Sequence, residues 1–332
     1  MPSHANIAFF IPHLGCPHCC SFCSQRTISG ESSPISPDEV KNQLEEAFGR
    51  ALNPETTEIA FFGGSFTCIP REQMIAYLEA AAPYIRNGQC RGIRLSTRPD
   101  GISREILDQL IQYGVSAIEL GAQSMDDRVL ALNQRGHTAE DVRKAVRLIR
   151  EYPISLGLQI MTGLFGEDAE SRARTEAAVL EMHPDTLRIY PTVVLDGTLL
   201  AEKFKAGEYR PPNLAETVQF AAPMLRRMEE AGIAVIRMGL HASPGIEQEM
   251  LGGAYHPAMR ELCEAELFRQ EMEKQLRDLP KGNYIMRVNP RAVSKAAGQK
   301  KRNLFRAQEL GYSIRIVQDP ACGMRELKIQ NV

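Results

Sequence analysis

The stretch NIAFFIPHLGCPHCCSFCSQ, residues 6–25, runs from a short apolar segment into a loop that carries four of the chain's eight cysteines. A brief, unbroken apolar run ended by proline reads as a strand covered on both faces, because a half-exposed strand would alternate apolar with polar residues. Six more runs of this kind follow: EIAFFGG (58–64), GIRLSTRP (92–99), AIELGAQS (117–124), ISLGLQIMTG (154–163), TLRIYPTV (186–193) and AVIRMG (234–239). Segments of helical period lie between them, several opened by cap signals: Ser36 with Pro37, Ser103 before Glu105, and Thr138 before Glu140 and Asp141. Strand–helix repetition implies right-handed crossovers around a parallel sheet. Six or seven units predict an α/β fold, a partial or complete (β/α) TIM-like barrel, with a doubly wound sheet as the alternative that the pattern separates poorly.

In either architecture the chemistry gathers at the C-terminal strand ends. The cysteine loop follows strand one, GGSF strand two, STRPD strand three, GAQS strand four and TGLFG strand five, so every distinctive non-helical motif falls on one rim.

Length and composition set the outer bounds. The chain has 332 residues, 43% of them hydrophobic, enough for one barrel with a small appendage. No signal-peptide pattern opens it, and no run reaches the roughly 18 apolar residues of a membrane span. A cytoplasmic protein without membrane association is expected. The net charge of −2 hides an asymmetry, since residues 281–332 hold eleven basic and three acidic side chains. A basic tail on an acidic body suggests a negatively charged partner, or else a solvated surface.

Cys16, Cys19, Cys20 and Cys23 admit several arrangements. Two abutting CxxC pairs lack the intervening loop of a four-thiolate zinc site. A thioredoxin-like pair belongs to another fold, and inert cysteines have no core to fill in so short a loop. The fourth arrangement, CxxxCxxC from Cys16, Cys20 and Cys23, leaves Cys19 aside; three thiolates can hold three irons of a 4Fe-4S cluster and leave the fourth iron for a small-molecule ligand.

CxxxCxxC with an aromatic, Phe22, before the last cysteine, placed after a first strand, resembles the radical S-adenosylmethionine (SAM) superfamily. The resemblance implies a barrel of the radical SAM type and two cofactors, a 4Fe-4S cluster and SAM, whose reductive cleavage gives a 5′-deoxyadenosyl radical. It implies cluster ligation by Cys16, Cys20 and Cys23, and an electron donor such as flavodoxin or ferredoxin. FFGGSFT (61–67) is similar to the family's glycine-rich segment, which implies cofactor contacts at Gly63, Gly64 and Ser65 beside Phe22. STRPDGI, IELGAQSMDDRVLALNQRGHT, YPTVVLDGTLLAEKFKAGEYRP and RMGLH are similar to the radical domain of the catalytic subunit of Elongator and its bacterial relatives, over most of residues 5–245. Arg135 is then a cation suited to the cofactor carboxylate; Gln123 and Gln159 are polar strand-end residues suited to its methionyl or ribose groups, Ser124 is a further cofactor-binding candidate, and a structural hydrogen bond is the alternative for each. Tyr190 and His241, at strand ends six and seven, are candidate substrate residues, with core packing as the alternative. Two departures stand out. Ser96 occupies the position of a glutamate in the Elongator subunit, and no acetyltransferase domain is expected within these residues, so acetyl-coenzyme A chemistry does not carry over.

The domain organisation expected is a barrel over 1–245, a helical connector over 246–280 and a small basic α+β domain over 281–332. In the last, strand, helix, short loop, helix and strand resemble a KH-like RNA-binding fold, with Gly298-Gln299-Lys300-Lys301 as the loop. Lys295, Lys300, Lys301 and Arg302 are the candidate RNA contacts, with a basic dimerisation or ribosome-docking module as the alternative reading of the tail. The functional expectation is a radical SAM enzyme acting on RNA, most readily a tRNA base. The alternatives are a coproporphyrinogen-oxidase-like enzyme on a small metabolite or tetrapyrrole, with a structural tail, and a non-enzymatic iron-sulfur RNA-binding protein.

Overall fold

The computed structural model describes residues 5–11, 14–16, 20–24, 27–28, 33–50, 52–241 and 244–332; Cys19 lies outside them. Seven strands form one parallel sheet in sequential order: β1 (Ala5–Phe10), β2 (Thr57–Phe62), β3 (Ile93–Thr97), β4 (Val115–Gln123), β5 (Ser155–Thr162), β6 (Thr186–Pro191) and, after a short β7 (Val193–Leu195), β8 (Ala234–Met238). All seven expected strands are present. Among the described residues β1 and β8 do not pair, so the sheet is an open half-barrel and the partial form of the expected fold.

Crossover helices α1 (Pro37–Phe48), α2 (Arg71–Arg86), α3 (Arg104–Gln112), α4 (Asp127–Leu132), α5 (Ala139–Ile149) and α6 (Ala169–Met182) connect the strands up to β6. They begin where their caps dictate. Ser36 and Glu39 form a reciprocal capping box, Thr138 and Asp141 another, and Ser103 accepts from the Ile106 amide, which satisfies donors that the first helical turn leaves unpaired. The interface between sheet and α2 is aromatic: Phe61 stacks on Phe66 at 4.9 Å and lies 5.8 Å from Tyr77. Helix α7 (Leu199–Lys205) follows β7, which pairs antiparallel with β9 (Met250–Gly253), a ribbon the sequence pattern did not suggest.

The chain divides into two compact units, Met1–Pro212 with Ala231–Ala254, and Asn213–Glu230 with Tyr255–Val332. The second unit contains α8 (Leu214–Glu230), α9 (Met259–Leu276), β10 (Gly282–Val288), α10 (Val293–Ala297), α11 (Arg302–Glu309), β11 (Tyr312–Gln318) and β12 (Leu327–Asn331). β10 is central, parallel to β11 and antiparallel to β12. This corrects the expected connector over 246–280. Phe268, Met272 and Leu276 of α9 are buried in one core with Tyr284, Met286 and Tyr312 of the sheet, and Tyr312 Oη donates to the Leu276 carbonyl at 2.8 Å. A sheet of three strands has a face to bury, and α9 covers it.

Candidate active site

The cysteine loop is held to the rim by backbone contacts on its first half. The Ser65 amide donates to Leu14 O at 3.1 Å, and Cys16 Sγ lies 3.7 Å from Ser65 Oγ. Two glycines make this approach possible. A Cβ on Gly15, whose φ is +71°, would stand 2.3 Å from Ser65 O, and one on Gly64 would stand 2.4 Å from Leu14 O. The second half is fixed by Ser21, which is fully buried: its amide donates to Asn133 O at 3.1 Å, its hydroxyl to Asn133 Oδ1 at 2.9 Å, and its carbonyl accepts from the Leu200 amide at 2.7 Å. Phe22 inserts between two apolar clusters, one containing Met161, Leu164 and Tyr190 and the other Val194 and Leu200. The aromatic before the last cysteine is therefore a packing anchor for the loop.

Arg135 meets this loop. Its Nη1 donates to Cys20 Sγ at 2.9 Å and its Nη2 to Gly121 O at 2.7 Å, while Nε, buried, has no partner. Arg98 Nη2 donates to Arg135 O at 2.7 Å, and Arg98 Nε is paired with Asp100. Arg98 is 3% exposed and braces the site from behind.

Gln123 ends β4 in an unusual conformation. Its φ is +64°, and the Ser124 amide bonds to Ala122 O at 2.8 Å, a three-residue γ-turn that also produces the register break between β4 and β5. His137 Nε2 lies 3.3 Å from the same carbonyl. Burial, with the Arg135 charge second, pushes the His137 pKa down to about 4, so the ring is neutral. The turn aims the Gln123 side chain inward, where Gln159 Nε2 donates to its Oε1 at 3.1 Å. Ser124 departs from expectation. The turn carries it away from the cavity to Thr175, 3.3 Å away on α6, and its Oγ accepts from the Asp126 amide.

Cys16, Cys20, Phe22, Cys23, Gly63, Gly64, Ser65, Gln123, Arg135, Gln159, Tyr190 and His241 all line one open cavity of about 1400 Å³. Ligand pockets usually span about 300–1,000 Å³, so this one has space for more than a single nucleoside-sized molecule. Its wall also carries charges that the sequence reading passed over. Arg94 Nε donates to Glu58 at 2.7 Å, and Glu119 lies between Arg94 (3.3 Å) and Arg188 (2.8 Å). Arg188 Nη1 in turn reaches Tyr190 Oη at 3.4 Å. The signal was present: each of these is a single charge within an otherwise apolar strand, as in GIRLST, AIEL and TLRIY, and a lone charge in a buried strand needs a polar interior to face. Burial raises the Tyr190 pKa, and burial followed by Arg237 and Arg188 lowers that of His241, so one stays a protonated phenol and the other a neutral imidazole.

In the second unit, Lys300, Lys301 and Arg302 are exposed, and none is ion-paired among the described residues. Lys300 and Lys301 both adopt left-handed φ, +52° and +60°. Lys295 does not join them: its Nζ is bound to Glu264, itself 4% exposed, at 2.5 Å. Arg325 and Arg306 are likewise committed, to Glu229 with Glu264 and to Glu273 with Glu309. Glu229 of α8 with Glu264 and Glu273 of α9 thus pair with three of the tail's eleven basic side chains.

The donor set fits the cofactors that the motif implies. Cys16, Cys20, Cys23 and Arg135 line one cavity, and the Arg135 guanidinium retains a buried N–H without a partner. Among the described residues no three His, Cys, Asp or Glu side chains are placed to bind a single ion. A cluster engages each thiolate through a different iron.

Comparisons with known proteins agree with this geometry. The Radical SAM superfamily model matches residues 10–178 and the Radical_SAM C-terminal domain residues 184–269. A tRNA uridine(34) acetyltransferase from Dehalococcoides mccartyi is 37% identical over 129 residues, which cover 38% of this chain and 28% of that protein. Human Elongator complex protein 3 is 25% identical over 222 residues, 61% of this chain and 40% of that one. The chain therefore matches a quarter to under a half of these relatives' length. In fold it is similar to archaeal Elp3 from Methanocaldococcus infernus, with a TM-score of 0.63 and 22% identity over 83% of this chain and 64% of that one. It is also similar to coproporphyrinogen III oxidase from Escherichia coli, with a TM-score of 0.52 and 15% identity over 83% and 76%. Radical SAM domains use a 4Fe-4S cluster and SAM. On the motif, the half-barrel and the family match together, the chain belongs to the radical SAM superfamily.

Proposed function

We propose that this protein is a cytoplasmic radical SAM enzyme that modifies a tRNA base. The observation that carries the reading is the convergence of Cys16, Cys20, Cys23 and Arg135 on a cavity with room for a substrate beside the cofactor. When bound, the cluster and SAM supply a carbon-centred radical that abstracts hydrogen. The chain's own residues bind and orient. Cys16, Cys20 and Cys23 hold the cluster, Arg135 donates to the Cys20 sulfur and supplies the cation for the cofactor carboxylate, and Gln123 with Gln159 offers amide groups to the methionyl or ribose part. Gly63 and Gly64 allow backbone groups close to the cofactor, with Ser65 at the Cys16 end.

An RNA substrate is supported by the relatives, whose names include tRNA uridine(34) acetyltransferase, and by the exposed Lys300, Lys301 and Arg302, with Phe305 56% exposed close by in α11. Cationic side chains beside an exposed aromatic suit a strand that offers phosphates and unstacked bases.

The test is direct. Anaerobic protein reduced with dithionite in the presence of SAM should form 5′-deoxyadenosine, and mass spectrometry of tRNA nucleosides from cells with and without the protein should differ in one nucleoside. Cys16→Ala, Cys20→Ala or Cys23→Ala should each lose most of the iron. Zinc bound in place of iron, or identical nucleosides in the two cell lines, would refute the reading.

A further inference from the structure

The wall of the cavity formed by β6 and β8 carries an unbalanced charge. Arg188 and Arg237 are cross-strand partners in the sheet, and Arg188 also pairs in register with Gln159 on β5, so the three share one layer. Of the guanidinium groups on this side, Arg94 is matched by Glu58 and Glu119, and Arg188 by Glu119. Arg237 has no carboxylate among the described residues; its Nε and Nη2 donate only to the carbonyls of Gly239 and Leu240, each at 3.1 Å. A half-buried guanidinium without a counter-ion is costly, and it recovers that cost when an anion enters. Tyr190, a protonated phenol, and the neutral His241 imidazole line the same cavity.

We infer that Arg188, Arg237, Tyr190 and His241 form a subsite for an oxyanion of the substrate, a carboxylate or a phosphate, distinct from the place of the cofactor's own carboxylate. The inference rests on the reading of this cavity as the radical site. Planar guanidinium forks match both anions, and a phenol adds a neutral donor. The anion comes either from an RNA phosphate or from a small carboxylate co-substrate.

The experiment titrates cluster-loaded, SAM-saturated protein with inorganic phosphate and with malonate by calorimetry, in wild type, Arg237→Gln and Tyr190→Phe. The subsite requires at least one anion to bind and to weaken about tenfold or more in Arg237→Gln, as expected for one charge-assisted hydrogen bond. A smaller loss is expected in Tyr190→Phe, whose ring keeps its packing and which decides the matter if Arg237→Gln does not fold. SAM affinity should stay within about twofold. Phosphate that displaces bulk tRNA supports the proposal and marks an RNA phosphate as the source; malonate that binds without displacing tRNA supports it and marks a co-substrate. Anion affinity equal in all three proteins, or no anion binding, overturns it. So does SAM affinity that falls tenfold in Arg237→Gln, since the wall then serves the cofactor. Failure of tRNA itself to bind refutes the RNA reading and leaves the subsite to the Arg237→Gln titration.

Discussion

Gly64→Ala isolates the contact between the cysteine loop and the rim. The added methyl would lie 2.4 Å from Leu14 O and 2.7 Å from Ile11 O, both backbone atoms. Ordinary contact begins near 3.4 Å, so about 1 Å of separation has to open. The ends of β1 and β2 are tied by the Ile11 amide to Phe62 O at 2.7 Å, so the Leu14–Gly15 segment is expected to move, and Cys16 with it. Overpacking of this kind costs about 1–3 kcal/mol. Drawn from cluster binding, that is a loss of about 5- to 150-fold in affinity. The assay is iron and sulfide content after anaerobic reconstitution, followed by the rate of iron loss to a chelator. Gly88→Ala is the control: its φ is +66° with no atom within 4 Å of the added Cβ, so it should cost about 1–2 kcal/mol of stability and leave iron unchanged. If Gly64→Ala keeps wild-type iron and chelator resistance while the apoprotein melts lower, the sheet has absorbed the strain and the reasoning about the loop fails.

Three further expectations follow from other contacts. His137 is neutral in the fold with a pKa of about 4, against about 6.5 when unfolded, so the unfolded chain takes up the proton first. Stability should be complete above pH 6.5 and fall by about 2–4 kcal/mol as pH drops to 4, and the urea midpoint of His137→Gln apoprotein should lack that portion of the loss. Glu119→Gln leaves Arg188 without a carboxylate in a largely buried setting and should destabilise by about 3 kcal/mol, with part recovered in the double variant Glu119→Gln/Arg188→Met; urea melts that show no recovery would argue against the network. Lys300→Gly and Lys301→Gly relieve left-handed strain and should each raise stability by about 0.5–1 kcal/mol while lowering the salt slope of tRNA binding by about one per lysine, so a variant that is more stable and binds RNA equally well would remove the loop from the interface.

Much of this site could be read from the sequence because its carriers are backbone positions. Strand ends, glycines and a CxxxCxxC spacing are fixed by chain order, and the rim follows once the strands are counted. What escaped depends on side-chain direction. Ser124 follows Gln123 directly, yet the γ-turn between them sends one into the cavity and the other to Thr175. Lys295 shares the charge of Lys300, but Glu264, on α9, claims it. The segment 246–280 looked like a connector because α9 is charged along much of its surface, and its narrow apolar stripe of Phe268, Met272 and Leu276 acquires meaning only with the sheet it covers. Glu119 and Arg188 were visible as letters, but their pairing across β4 and β6 needed the curvature of the barrel.

The anchoring of the cysteine loop bears on how the enzyme matures. Its clasps are Ser65, Asn133 and the Leu200 amide, contributed by positions up to about 180 residues downstream. A zinc finger organises itself around its ion, whereas here the receptacle exists only after the chain through α7 has collapsed. Iron is accordingly expected to enter a chain already folded as far as α7, not a nascent peptide that ends at the cysteine loop.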